Sequence, residues 1–430
     1  MVQLPDKTSG GFCFIKMIKR FLISIFGFLF SVSCIAQNKT LDYFINKSLT
    51  NDPRVSELQN LILANKTDSA LIVAGNKFQV TGTGNAYYAP VINGYGYDVA
   101  ITNGQQVSAL VALNKQIYNK RNLSLQFKSL QLQNDSLTNF IAISKQDIKK
   151  AIISQYILAY SDQLQLDFND ELISLLTKEE DILKKLTQKN VYKQADYLSF
   201  LVTLQQQQLT RNQLFVQYKN NYATLNYLAG IIDTTTETLA APDLQAKRVF
   251  NDENSPFVLN YKIDSLRLAN ERAIIQYQYR PKVNLFADAG YQSTFILNPY
   301  KNFGYNFGIN LTVPIYDGHQ RKLQFSRLDI QERTRQRQRE FFYNQYQQQI
   351  LQLRQQLNDL QNLAAPVNKQ IEYLETLIKV NGKLLETGDI RITDYVLALN
   401  NYITAKNLLV QNKIERYLVI QQLNYWNMKL

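Results

Sequence analysis

One spacing recurs along this chain and limits what it can fold into. Ile117-Tyr118 matches Ile315-Tyr316, Asp196-Tyr197-Leu198 matches Asp394-Tyr395-Val396, and Leu225-Asn226-Tyr227-Leu228 matches Leu423-Asn424-Tyr425-Trp426, each pair 198 residues apart. Three unrelated local patterns that share one offset mark two tandem copies of a unit near two hundred residues. The expected division is a first repeat over 37–230, a connector over 231–256 and a second repeat over 257–430. Asp233-Thr234-Thr235-Thr236-Glu237 and Asn251-Asp252-Glu253-Asn254-Ser255-Pro256 give the connector its polar, turn-rich character.

Each copy opens with a strand pair. From Phe303 to Ile315 every odd position is apolar (Phe303, Tyr305, Phe307, Ile309, Leu311, Val313, Ile315) and every even one is small, polar or Pro. Such strict period 2 predicts a strand with one oily and one polar face. Its partner is expected from Pro281 to about Tyr291, with Val283, Leu285, Ala287, Ala289 and Tyr291 on one side. The first copy repeats the pair more weakly over about 78–117, around a loop rich in Gly and Tyr from Val91 to Gly104.

Long helices follow. Between Gln320 and Glu386, Tyr346, Ile350, Leu353, Leu357, Leu360, Ala364, Val367, Ile371, Leu374 and Ile378 step by four and three in turn, a coiled-coil seam held over several heptads. At ~1.5 Å per residue this helix is on the order of 100 Å long. Pro366 lies inside it, and since the seam keeps phase across the proline, a bend is expected and not a stop. Lys120 to Leu186 is the matching helix of the first copy, with Ile153, Ile157, Tyr160 and Leu164 in similar spacing. A second helix returns after each, over about 195–228 and 393–427.

Residues 1–36 read as a secretory leader with its start at Met17. Met17-Ile18-Lys19-Arg20 supplies a basic n-region and Phe21 to Val32 an apolar core shorter than the ~20 residues a spanning helix needs. Ser33-Cys34-Ile35-Ala36 then offers small residues for cleavage before Gln37. Lipidation at Cys34 is the rival, although Ser31 stands where lipoproteins usually carry Leu; either way the product is exported. Both cysteines, Cys13 and Cys34, belong to this segment.

Downstream, no stretch is long and apolar enough for a spanning helix, and the mean hydropathy is -0.26. A membrane crossing by this chain must therefore use strands. Two hairpins give four strands, and bacterial membrane barrels start at about eight, so several chains must share one barrel. Three chains supply about twelve strands, and their helices continue as a tube. The net charge of +12 is spread over Gln-rich helical stretches with no compact basic cluster among aromatics, which is a solvated surface and no nucleic-acid groove.

The residues resemble the TolC-type outer-membrane efflux proteins over nearly the whole mature chain. Asn51-Asp52-Pro53 is similar to that family's opening element. Leu311-Thr312-Val313-Pro314-Ile315-Tyr316-Asp317-Gly318 resembles its strand-to-helix junction, and Gly388-Asp389-Ile390-Arg391-Ile392-Thr393-Asp394 its periplasmic tip turn. The resemblance implies a fold of mainly helical character with a membrane β-barrel contribution: a homotrimer with a twelve-stranded barrel, continued by a helical tunnel that is closed at its tip. It also implies placement in the outer membrane of a Gram-negative bacterium with the helices in the periplasm. The partners implied are outer-membrane lipid, a periplasmic adaptor (membrane fusion protein) docked at the tip and an inner-membrane pump. The function expected is passive export from that pump, gated by the coiled coils. Two rivals stand beside it, an outer-membrane duct for type I protein secretion and, in another class, a periplasmic coiled-coil adaptor or structural protein.

The residues expected to matter fall in three places. Asn190, Asp196, Gly388, Arg391 and Asp394 form the gate and adaptor-docking tip; Pro314, Tyr316, Asp317 and Gly318 the junction; Phe303, Tyr305, Phe307, Ile309, Leu311 and Val313 the lipid-facing strand. Asp196 and Asp394 read equally as carboxylates set against a helix N-terminus, Gly388 as a backbone need, and Arg391 as either a partner that holds the tip closed or a solvated arginine. Leu397 stands where some relatives carry an Asp that narrows a cation-selective aperture. His319, the only histidine, lacks partners at any metal or catalytic spacing, and Gly82-Thr83-Gly84 has no helix after it to make a phosphate loop. No enzyme, no cofactor and no metal site is expected.

Overall fold

The computed structural model describes residues 39–102, 104–117, 120–247, 255–294 and 301–428. The leader, Tyr118 and the connector's end at 248–254 lie outside them. The elements in chain order are α1 (Leu41–Asn51), α2 (Pro53–Gly75), β1 (Gln79–Tyr88), α3 (Val99–Thr102), β2 (Gln105–Ile117), α4 (Lys120–Gln188) and α5 (Gln194–Leu228). The second copy repeats the order with α6 (Pro256–Gln278), β3 (Lys282–Ser293), β4 (Phe303–Thr312), α7 (Gln320–Thr387) and α8 (Ile392–Trp426). Two compact units result. A strand unit comprises Asn51–Ala151, Gln245–Asn362 and Leu418–Leu430; a tip unit comprises Ile152–Leu244, Leu363–Tyr417 and the segment up to Thr50.

In the strand unit the two hairpins join edge to edge as one antiparallel sheet, β1-β2-β3-β4. Residues opposite each other across an antiparallel ladder share a face, so the register sorts the side chains. One face carries Val80, Gly82, Gly84 and Ala86 against Leu113, Val111, Ala109 and Val107. It continues through Leu285, Ala287, Ala289 and Tyr291, which stand opposite Ile309, Phe307, Tyr305 and Phe303. The one charge on it is Lys115, whose Nζ lies 4.5 Å over the Phe78 ring. The other face carries Thr81, Thr83, Asn85, Asn114, Asn284, Asp288, Asn306 and Asn310. Leu110, Ala112 and Phe286 are apolar exceptions there, and the Phe286 ring lies over Gly308, where an added Cβ would come within 2.7 Å of it.

Strand β4 ends at Thr312, three residues short of the alternation in the sequence. Thr312 is paired with Lys282, the first residue of β3, so Val313 has no ladder partner, and Pro314 has no N–H to give. Val313 and Ile315 are extended and exposed but lie outside the strand.

The helices run as long as the sequence demands. Helix α4 has 69 residues and α7 has 68, and α7 passes through Pro366 without a break. From Tyr346 to Ile378 every seam residue of α7 is buried or half-buried, and from Leu351 to Leu377 every residue between them is exposed. Within the strand unit Tyr346, Ile350, Leu353 and Leu360 pack on Val419 and Leu423 of α8; within the tip unit Val367 and Ile371 pack on Ala405. Each such aliphatic contributes roughly 1.5–3 kcal/mol on full burial, which polar helices of this composition need for their pairing.

Helix α4 is buried more widely than its expected seam. Ile157 and Tyr160 are buried and Ile153 and Leu164 half-buried, while Ile148, Ile152, Tyr156 and Ala159 are buried as well. In the tip unit part of that extra face is covered by Phe44 of α1, edge-on to Tyr156 and Tyr222. More is covered by the connector, which is docked and not loose. Tyr156 and Tyr218 donate hydroxyl hydrogen bonds to the carbonyls of Ala240 (2.7 Å) and Glu237 (2.5 Å), and Gln163 brackets Leu239 from both sides of its peptide.

Candidate functional site

The tip is built from two helix-turn-helix corners. At the first, Asn190 takes φ 58°, and the N–H groups of Asn190 and Val191 donate to the carbonyls of Thr187 and Leu186. At the second, Gly388 takes φ 80°, and the N–H groups of Gly388 and Asp389 donate to Leu385 and Leu384. Both are Schellman caps, which need a left-handed residue at the first position past the helix. Asparagine tolerates that conformation better than other L-residues, so Asn190 and Gly388 do the same backbone work.

The returning helices also start alike. Lys193 and Arg391 accept the first helical hydrogen bonds from Tyr197 and Tyr395, placing Asp196 and Asp394 in the first turns of α5 and α8. A carboxylate there is favoured by the helix dipole. Arg391 Nε lies 3.4 Å from Asp394 Oδ2, with side chains 86% and 49% exposed. This pair stays within one turn of one helix, so it links no two elements, and exposed pairs of this kind contribute about 0–1 kcal/mol. Among the described residues the Asp196 side chain makes no ion pair.

What joins the two corners is a residue the sequence reading passed over. The Tyr192 hydroxyl lies 3.0 Å from the carbonyl of Leu385 and 3.0 Å from that of Ile390, spanning the second corner from the first. Burial raises its pKa, with Asp389 adding to the shift, so it remains a donor. Beside it Val191 Cγ1 sits 2.6 Å from where a Cβ on Gly388 would be. Gly388 is therefore fixed by both its backbone angle and the neighbour that lies on it. An aromatic within a helix-helix turn was the only signal for this contact in the sequence.

Beneath the corners a core of Leu172, Leu176, Leu183, Phe200, Leu385, Ile392, Tyr395 and Leu399 draws on all four tip helices. Tyr197 and Tyr395 occupy equivalent positions but differ in their partners. Tyr197 donates to Glu180 at 2.5 Å, and that bond pushes its pKa up to about 12. Tyr395 is fully buried with its ring on Phe200, and its hydroxyl has no hydrogen-bond partner. Leu397 is exposed.

In the strand unit, the junction of β4 with α7 is a capped turn. Gly318 and His319 are both left-handed, at φ 63° and 66°, and Asp317 Oδ2 accepts from the Arg321 N–H at 2.8 Å. That backbone hydrogen bond holds Asp317 below the usual carboxylate range. Tyr316 is exposed and meets the His319 ring edge-on at 5.8 Å; Pro314 precedes it in the extended segment. Phe303, Tyr305, Phe307, Ile309 and Leu311 lie on one face of β4, each 60–80% exposed. Among the described residues no group of three or more His, Cys, Asp or Glu side chains could hold a metal ion, and no helix is long and apolar enough to cross a membrane.

No family model matches the sequence, and no curated protein matches it significantly. Solved structures do resemble it. CusC, whose structures concern folding and transmembrane channel formation, aligns with a TM-score of 0.77 at 10% identity over 92% of this chain and 93% of its own. The outer-membrane protein VceC from Vibrio cholerae aligns at 0.75 with 12% identity over 90% and 96%. The CmeC outer-membrane channel of Campylobacter jejuni aligns at 0.69 with 11% identity over 90% and 85%. Nearly whole chains align on both sides, and the mainly helical chain fold expected from the resemblance in sequence, long helices with a few strands, is the fold these channels share with this chain, whose four-stranded sheet is not closed.

Proposed function

We propose that the protein is an outer-membrane export duct that assembles as a homotrimer, sharing one barrel of about twelve strands. The observation that carries this reading is the four-stranded sheet, apolar over one face but for Lys115, Gln105 and Ser293, and ending in unpaired edges at β1 and β4. In lipid every backbone polar group must be satisfied, so a sheet with an oily face and open edges belongs in a closed barrel. Four strands are too few to close alone. Phe303, Tyr305, Phe307, Ile309 and Leu311 then meet lipid, with Val313 at the rim, and the Thr and Asn face lines water.

Helices α4 and α7, on the order of 100 Å each, carry the passage through the periplasm to the corners at Asn190 and Gly388. These corners serve as the gate and as the docking surface for a periplasmic adaptor, which couples the duct to an inner-membrane pump. The duct conducts and does no chemistry. The likeness to structures described as an outer-membrane channel and as forming a transmembrane channel supports the duct reading.

The test is membrane fractionation with detergent extraction, then the mass of the particle heated and unheated, then conductance in a planar bilayer. An outer-membrane particle of three chains that conducts ions is the expected result. A soluble monomer would overturn it in favour of a periplasmic coiled-coil adaptor or structural protein.

A further inference from the structure

The unused groups of the tip gather around Gly382 of α7. This buried helical glycine has no side chain, and the space where its Cβ would sit is flanked by Glu179 Oε1 at 3.4 Å from α4 and Tyr395 Cε2 at 3.9 Å from α8. A glycine inside a helix is destabilising against alanine; here it leaves room for the Glu179 carboxyl beside the Tyr395 ring. The second oxygen of that carboxyl, Glu179 Oε2, is buried and has no hydrogen-bond partner, and neither has the hydroxyl of the fully buried Tyr395. One residue along α4, Glu180 accepts the bond from Tyr197, the counterpart of Tyr395 in the first copy. Glu179 of the first copy and Tyr395 of the second are thus the two halves of a bond of the same kind, unmade.

A buried carboxylate oxygen and a buried phenol that both lack partners are each costly. A single proton relieves both, because a neutral carboxylic acid can donate to the phenolic oxygen. The groups around Glu179 favour that proton. From α7, Glu386 stands one turn beyond Gly382 and repels a negative Glu179; from α8 comes Tyr395 itself; α5 contributes the Phe200 ring and Tyr197, already engaged by Glu180. Burial first, and the Glu386 charge second, move Glu179 above the usual carboxylate range.

We propose that Glu179 is a proton-binding latch of the tip: with a proton it bonds to the Tyr395 hydroxyl and draws α4, α7 and α8 together, and without one it repels Glu386 and loosens them. The proton comes from and returns to bulk water. The sign follows from linkage. A carboxyl whose pKa is raised in the packed state contributes stability below that pKa and loses it as the pH rises through it, so the corners tighten in acid and relax toward neutrality. As a regulator of the gate the latch rests on the duct reading; as a property of the tip it does not.

Beyond the expected leader the sequence has no cysteine, so a spin-label pair can be placed on exposed Lys184 of α4 and Lys383 of α7 as cysteines, in the exported protein diluted with unlabelled chain. The distance distribution, measured by pulsed electron resonance from pH 4.5 to 8, is expected to be narrow in acid and to broaden to longer distances as the pH rises. Glu179→Gln, nearly isosteric, should be narrow at both ends of the range. Tyr395→Phe should keep the transition and move it to lower pH, since the protonated form loses its partner. A wild-type distribution that ignores pH overturns the latch, and so does a Glu179→Gln variant that keeps the wild-type dependence. Conductance is read separately: a chain that fails to conduct but shows the transition keeps the latch and loses the duct, and one that conducts without the transition does the reverse.

Discussion

The two corners of the tip share one backbone pattern and differ in what their side chains do. Their backbones agree at each step: a left-handed cap at Asn190 or Gly388, a helix start at Lys193 or Arg391, an acid at Asp196 or Asp394, a tyrosine at Tyr197 or Tyr395. Their side chains do not. The first corner projects Val191 and Tyr192; the second receives them with a bare Gly388 and the carbonyls of Leu385 and Ile390. Copies that pack on each other cannot both keep a side chain at the point of contact, so duplication preserves the turn while contact makes the surfaces unlike.

The comparison breaks most sharply at Gly388. A β-branched side chain there meets both a left-handed φ, which costs about 1–2 kcal/mol, and the Val191 methyl, with overpacking of about 1–3 kcal/mol. Gly388→Val should lower the stability of the tip by about 2–5 kcal/mol, read as faster proteolysis at the corners and a lower denaturation midpoint. Asn190→Gly, the same position in the first copy, should change it by a few tenths.

The tyrosines give the next effect. Tyr197→Phe strands the Glu180 carboxylate and should cost about 1.5–3 kcal/mol in a half-buried setting, at the low end because water reaches the site. Tyr395→Phe removes a hydroxyl that has no partner and should be neutral or stabilising by up to about 1 kcal/mol at pH 8. Urea denaturation of the two variants at that pH measures the difference, and equal losses would mean the two sites are alike after all.

Smallest is Tyr192→Phe, which keeps the ring and removes one hydroxyl shared between two carbonyls. A loss of about 0.5–1.5 kcal/mol is expected, with amide exchange faster at Gly388–Arg391 than at Asn190–Lys193. Equal change at both corners would place the link elsewhere.

The long elements were legible because a period repeated over many turns leaves little choice. The expected helix ends at Leu186 and Glu386 lie within two residues of those found, and the 198-residue offset reappears in the caps. Strand β4 was extended too far because alternation continues past Thr312, while pairing depends on where β3 begins. Seam periodicity foretold Ile157 and Tyr160 but not the wider burial of α4, which comes from Phe44 and the docked connector, both distant in sequence. For Arg391 the sequence leaves a tip-closing partner and a solvated arginine both open, and the pair it makes with Asp394 stays exposed within one turn. Tyr192 and the Glu179–Tyr395 site have no period and no motif; each exists only once its neighbouring element is in place.

The open edges of the sheet have a further meaning. β1 and β4 are ten residues each, and each presents a row of unpaired donors and acceptors. In the language of polymer chemistry the chain is a bifunctional monomer with two complementary reactive ends. Such monomers either close into a ring or propagate without limit, and which one wins depends on the angle set between the ends and on how many chains are present when they meet. The twist and register that fix β1 relative to β4 therefore decide between a product of defined size and an open-ended ladder, before any solute has been carried.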